Sequence, residues 1–198
     1  MKPIIFAAGD LNYCEKYGPT LKASAQEHGI DCLIVCNGKR VTTDRGRRNA
    51  NAFRYVLLPD VLRQHLSVLV LDLDSIVRRP IEISDEVSIG FVPRPDTNDK
   101  YKKINGGCFY ITDRMMDVAV ELSNEMRDFP VWYYDQIVLW RISERLKDRA
   151  QFFGPELFSW DFHPQAAIWT GKGSVKFSPA WENEVRKYEH FGLDWIRP

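Results

Sequence analysis

Two aspartates one residue apart, Asp72 and Asp74, end the most hydrophobic run in the chain, VLVLDLD over 68–74. A carboxylate is costly to bury unless it is paired or metal-bound. In extended chain, residues two apart point to one side, so the pair can share one hard cation through oxygen ligands. The same residues also fit a reading without chemistry, in which one caps the next turn and the other pairs with Arg78 or Arg79. Further residues of useful type lie along the chain: Arg54, Asn105 before Gly106 and Gly107, Asp135 with Gln136, and Lys172 and Lys176 among glycines. Two adjacent glycines let a ring approach the backbone closely, or simply turn the chain into a strand. Asp135 and Gln136 open a predicted helix, where capping alone accounts for an aspartate.

The elements that must position these groups follow from hydrophobic pattern. Residues 3–8 predict a buried first strand, 19–28 a helix closed by Gly29, and 31–36 a second strand. A polar, Arg-rich loop is expected at 37–48, then a helix over 49–64 that Pro59 kinks or divides. The β-branched and Leu run at 68–74 reads as a strand buried on both faces of a parallel sheet. Strand, helix, strand, helix, strand opens an α/β domain, and such sheets bind ligands at the carboxyl ends of their strands. Beyond it, strands are predicted at 86–92 and 107–112, helices at 113–128 and 133–147, a short strand near 166–170 and a last helix near 179–190.

Composition narrows the function. The 198 residues suit a single domain, with 1–92 as a nucleotide-binding half and 93–198 as a mixed, aromatic-rich half. Lys+Arg and Asp+Glu each number 27, so the net charge is zero. That excludes a global polyanion binder, whose affinity comes from clustered basic residues, and no nucleic-acid partner is expected. A local basic site for a phosphate remains compatible. The apolar run before Gly9 is shorter than a signal-peptide core, and no stretch reaches the ~20 apolar residues of a membrane span. A soluble cytoplasmic protein is therefore the expectation. Cys14, Cys32, Cys36 and Cys108 lack zinc-site spacing and read as buried free thiols of a reducing compartment.

The segment FRYVLLPDVL…VLVLDLDSIVRRPI resembles the signature of GT-A-fold glycosyltransferases, especially those like family 8, the glycogenin and bacterial galactosyltransferase type. INGGCFYI (104–111) is similar to that family's Asn-Ser-Gly segment, with Gly106 in place of Ser. YDQIVLW (134–140) resembles its Asp-Gln motif, and TGKGSVKF (170–177) its Gly- and Lys-bearing C-terminal loop. The likeness spans roughly residues 3 to 177. It implies a compact GT-A-like α/β domain, a Rossmann-like mixed sheet flanked by helices, moving a sugar from a nucleotide-sugar, with UDP as nucleotide, to a hydroxyl of a glycan, protein or lipid acceptor. Asp72 and Asp74 would then hold Mn²⁺ or Mg²⁺. Ala7, Gly9, Asp10 and Tyr13 would contact base and ribose, Lys172 and Lys176 the diphosphate, and Arg54 would anchor the diphosphate-sugar or order the acidic pair. Asn105, Gly106 and Gly107 would face the sugar, with Asp135, Gln136 and Asp74 at the reacting centre.

The chain departs from the family at the third metal ligand. Its usual His would fall on Thr170 or Ile168, depending on whether Gly173 or Gly171 anchors the motif, and His163 is the nearby substitute. Among the aromatics Trp132, Tyr133, Tyr134, Trp160 and Trp169, the tryptophans Trp160 and Trp169 are the expected lining of an acceptor site. The length suits a compact viral or bacterial form, or one domain of a larger polypeptide. Three other classes compete. A haloacid-dehalogenase-like phosphatase also places DxD after an apolar strand, though near the chain start and followed by Gly-Thr. A nucleotidyltransferase would carry a basic Gly-rich loop after the first strand, which AAGDLNY lacks. A carbohydrate-binding module leaves the acidic pair unexplained.

Overall fold

The computed structural model describes residues 2–94, 103–131, 133–171 and 176–188. It opens with β1 (Ile4–Gly9), α1 (Leu11–Glu27), β2 (Cys32–Cys36), α2 (Asp44–Gln64) and β3 (Ser67–Leu71). Strand β1 pairs in parallel with both β2 and β3. There follow β4 (Ser75–Val77), β5 (Ile89–Pro93), β6 (Ile104–Thr112), α3 (Met116–Asp128) and α4 (Tyr134–Leu146). The chain continues through β7 (Gln151–Phe152), β8 (Phe158–Ser159), β9 (Ile168–Thr170) and α5 (Pro179–Arg186). The main sheet has the order β2-β1-β3-β6-β5-β7, with β6 antiparallel to both β3 and β5. A second sheet, β4-β9-β8, stands beside it. This is the mixed α/β architecture expected of the GT-A-like class.

Alternation along the central strands explains why they bury both faces. Phe6, Ala8, Val68, Val70, Phe109 and Ile111 face one core, filled from α2, α3 and α4 by residues such as Leu58, Leu122 and Leu139. Ile5, Ala7, Leu69, Leu71, Cys108 and Tyr110 face the other, where α1 contributes Cys14, Leu21 and Ala25. A third, smaller core of Ile76, Ala166, Trp169 and Trp181 lies under the second sheet. Among the described residues, no helix is long and apolar enough to cross a membrane.

Several boundaries differ from the sequence expectation for local reasons. Helix α1 begins at Leu11, not 19, because the Asp10 carboxylate accepts from the Tyr13 N–H at 3.2 Å and caps it. Helix α2 likewise starts inside the expected loop, where Thr43 Oγ1 accepts from the Gly46 N–H at 3.2 Å. Neither Pro19 in α1 nor Pro59 in α2 divides its helix. Strand β3 stops at Leu71, so Asp72 and Asp74 occupy the turn beyond it rather than the strand itself. Cys14 and Cys108 are buried free thiols, whereas Cys32 and Cys36 are only partly covered.

Candidate active site

The acidic turn is fastened to both sheets. The Asp72 N–H donates to Gly107 O at 2.9 Å, which ties it to the start of β6. The carbonyl of Asp74 accepts from the Gly171 N–H at 2.7 Å and from Thr170 Oγ1 at 3.2 Å, both at the end of β9. The pair therefore sits where the two sheets meet, beyond the carboxyl ends of β1 and β3. A cavity of about 620 Å³ opens there. Its walls include Gly9 at the end of β1, Asp10 and Tyr13 beyond it, Arg54 on α2, Asp72 and Asp74, Gly106 and Gly107 on β6, Asp135 and Gln136 on α4, and Lys176.

Most of the nucleotide-, sugar- and metal-binding candidates named in the sequence thus surround one space. Lys172 and Trp132 lie outside the described residues. The Ala7 side chain points into the core, and its neighbour Ala8 lines the cavity instead. Asn105 is buried behind the wall, where its Oδ1 accepts from the Gly107 N–H at 2.9 Å. Trp169 is no acceptor platform: it is buried, stacked on Phe162 at 4.6 Å, with the Arg78 guanidinium 3.5 Å from its ring centre. Trp160 does not line the cavity either and packs edge-on against Phe158. His163 accepts from the Gln165 N–H at 3.3 Å and lies away from the acidic pair. Ile168 is core, and Thr170 spends its hydroxyl on the Asp74 backbone.

Each acidic residue already has a cationic partner. Arg54, buried on α2, donates to the Asp72 carboxylate and lies 3.6 Å from Asp135 Oδ2. Burial opposes the guanidinium charge, but Tyr55, Asp72 and Asp135 outweigh it and raise its pKa above the ordinary arginine value. Lys176 ion-pairs with Asp74 and donates to Tyr13 Oη at 2.8 Å. Burial again opposes this charge, and Asp74 with Tyr13 holds the ammonium pKa above that of a free lysine. Burial, and then the Asp72 charge, push the Asp74 carboxyl above the usual carboxylate range despite Lys176. Two carboxylates that raise each other's energy beside an open cavity suit a hard divalent cation. Among the described residues, no three or more His, Cys, Asp or Glu side chains gather to hold a metal, so water and substrate would complete the shell of this two-carboxylate set.

Around and behind these walls lie groups that the sequence reading missed. Tyr55 presents its hydroxyl to Gly106 O and Asp135 Oδ2. Arg94 Nη1 donates to Gln136 Oε1 at 3.1 Å, which fixes that amide because a guanidinium can only donate. Arg47 and Asn51 also line the cavity, and their spacing with Arg54, three to four residues along one helix, could have revealed the shared face. Lys16 and Tyr17 on α1 join Tyr13 by the same spacing. Tyr133 stands half-exposed at the rim with φ 65°, a left-handed conformation uncommon outside glycine.

The architecture has solved counterparts. A crystal structure of a glycosyltransferase involved in the glycosylation of the major capsid of PBCV-1 superimposes with a TM-score of 0.66, covering 93% of this chain and 100% of that one at 14% identity. The apo structure of the bifunctional glycosyltransferase WbbM gives a TM-score of 0.58 at 12% identity, covering 94% of this chain and 51% of that one. The chain therefore shares the fold of these two glycosyltransferases. No protein-family model matches it, and no curated protein does.

Proposed function

We propose that the chain transfers a sugar from a nucleotide-sugar, a UDP-sugar in the first instance, to a hydroxyl of a glycan, protein or lipid, in the manner of family-8-like enzymes. The observation that carries the reading is the convergence of Asp72, Asp74, Arg54, Lys176, Asp135 and Gln136 from separate elements onto one cavity at the strand ends. The shared fold of two glycosyltransferases supports it.

Asp72 and Asp74 would hold Mn²⁺ or Mg²⁺, which when bound neutralises charge developing on a diphosphate leaving group. The chain's own residues supply the rest. Lys176, a point charge on a flexible stem paired with Asp74, would turn to a phosphate oxygen of the donor. Arg54 is held rigidly between Asp72 and Asp135 and fixes the spacing of the acidic groups. Tyr13 and Tyr17, tilted 54° to one another with ring centres 4.9 Å apart, offer flat faces to a nucleobase. Asp135 and Gln136 face the sugar, one as acceptor and the other through its amide N–H groups. Preorganised charge of this kind supplies a large share of catalysis in group transfer.

Calorimetry across a panel of nucleotide-sugars, with and without Mn²⁺, tests the reading. Metal-dependent binding of at least one donor is expected, and absence of any nucleotide binding under every condition refutes it. Replacing both Asp72 and Asp74 by Asn should abolish metal-dependent turnover while the fold persists. Unchanged transfer in that variant would make the acidic pair structural.

A further inference from the structure

Tyr55 is wholly buried, and its ring lies parallel to Phe109 within 7° at a centroid separation of 6.0 Å. Its hydroxyl has one proton and two acceptors in reach, Gly106 O at 2.8 Å and Asp135 Oδ2 at 2.9 Å. Arg54 Nη2 donates to Gly106 O at 3.0 Å and to the Tyr55 oxygen at 3.2 Å. The carbonyl is thus supplied by the guanidinium, and the phenol proton goes to the carboxylate, where a charge-assisted bond is stronger. Burial raises the phenol pKa, which keeps that proton in place. Asp135 Oδ2 is also approached by Arg54 and lies against the backbone of Gly106, where any Cβ would collide with it. With Oδ2 enclosed, the oxygen left to the cavity that Asp135 lines is Oδ1.

We propose that Tyr55 is a positioning residue for sugar recognition: by holding Asp135 Oδ2 it turns Oδ1 into the cavity as the acceptor for a hydroxyl of the donor sugar. The inference rests on the nucleotide-sugar reading above and assigns the contribution of Tyr55 to the sugar rather than to the nucleotide. Tyr55 stands behind Asp135, and the sugar is the part of a donor that would reach the Asp135 wall.

The test compares UDP with UDP-glucose and UDP-galactose, each with Mn²⁺, on the wild-type chain and on Tyr55→Phe. Calorimetry gives affinity, and the unfolding midpoint is recorded for both proteins. Phenylalanine keeps the ring beside Phe109 and removes one oxygen. UDP affinity should stay within about twofold of wild type, while UDP-sugar affinity falls about fivefold to tenfold, the size of one net hydrogen bond. Equal losses for UDP and UDP-sugar, or no loss for either, overturn the assignment. In an Asp135→Ala background, Tyr55→Phe should add nothing to the loss, and a fully additive effect overturns it as well. A wild-type chain that binds UDP but gains nothing from either sugar refutes this assignment alone. One that binds no nucleotide refutes the donor reading and this assignment together.

Discussion

A single methyl group separates glycine from alanine, and at positions 106 and 107 there is no room for it. A Cβ on Gly107 would collide with Asp72 Oδ2, and one on Gly106 with Asp135 Oδ2. Both obstacles are carboxylates held in place by Arg54, so neither is a freely swinging side chain. Gly107→Ala should therefore push Asp72 out of register and weaken Mn²⁺ binding measured by titration of the free protein. Gly106→Ala should instead erode the preference for UDP-sugar over UDP. Each should cost about 1–3 kcal/mol of stability, read from the denaturant midpoint, as overpacking of a filled site does. Unaltered metal affinity in Gly107→Ala would show that Asp72 has room to move. The glycine pair was legible in the sequence as a place of close approach, but not what approaches. The answer is fixed by the antiparallel pairing of Leu71 with Cys108, which sets Asp72 beside Gly107, and a register of that range has no local signal. The same limit separates Ala7 from Ala8, since alternation says that they face opposite ways but not which way holds the cavity.

At the scale of elements, the first turn of α4 carries Asp135 and Gln136, and α4, whose apolar face packs into the main core, is also tied to α3 by a set of ion pairs. Arg141 Nη2 donates to Glu125 Oε1 at 2.7 Å, the Tyr134 hydroxyl donates to the other oxygen of Glu125, and Arg145 Nη2 donates to Glu121 at 2.5 Å. The Tyr134 hydrogen bond, followed by Arg141, lowers the Glu125 pKa. Its folded value is then below its unfolded value, so the native state binds fewer protons in between and stability rises with pH there. The contribution is complete above the unfolded carboxylate range, about pH 4–5, and disappears as pH falls through the folded value. Glu125→Gln should remove that acid-side slope in urea midpoints taken across pH 3–7. The loss at neutral pH should not exceed about 1 kcal/mol, because the pair is partly exposed and screened. An identical pH profile in the variant would mean that the clamp carries no net energy. The pairing of α3 with α4 is invisible to hydrophobic pattern, whereas the helices themselves were legible from their apolar spacing. Strands β1, β2 and β6 were equally plain because each is apolar for most of its length. The two-residue strands β7 and β8 had no such signal, being defined by their neighbours. The early start of α1 depended on a cap at Asp10, which the residues also allowed to be read as a ligand contact.

For the molecule as a whole, the informative quantity is where its zero net charge is spent. Four acidic side chains, Asp10, Asp72, Asp74 and Asp135, and four basic ones, Lys16, Arg47, Arg54 and Lys176, line the candidate-site cavity. Arg54 and Lys176 are engaged with the acidic pair, so the cavity is internally neutralised in this form. On the proposed metal-assisted reading, a divalent cation arriving alone would have to compete with those two residues for Asp72 and Asp74. A diphosphate arriving alone meets the same two carboxylates with only rim cations in its favour. Arriving together, the metal would satisfy the carboxylates while the released lysine and the phosphates would satisfy each other, so each ligand should raise the affinity for the other by the same factor. Thermal unfolding should register this directly. UDP with Mn²⁺, at about a hundred times the dissociation constant, adds roughly 2.7 kcal/mol to the folded state. For a chain of this length that corresponds to a rise of roughly 5–10 °C in Tm. The rise with both ligands should exceed the sum of the rises with UDP and with Mn²⁺ separately. Strictly additive shifts would mean that the two ligands occupy independent places, and the cavity would then not be the single charge-exchange site that its eight charged side chains describe.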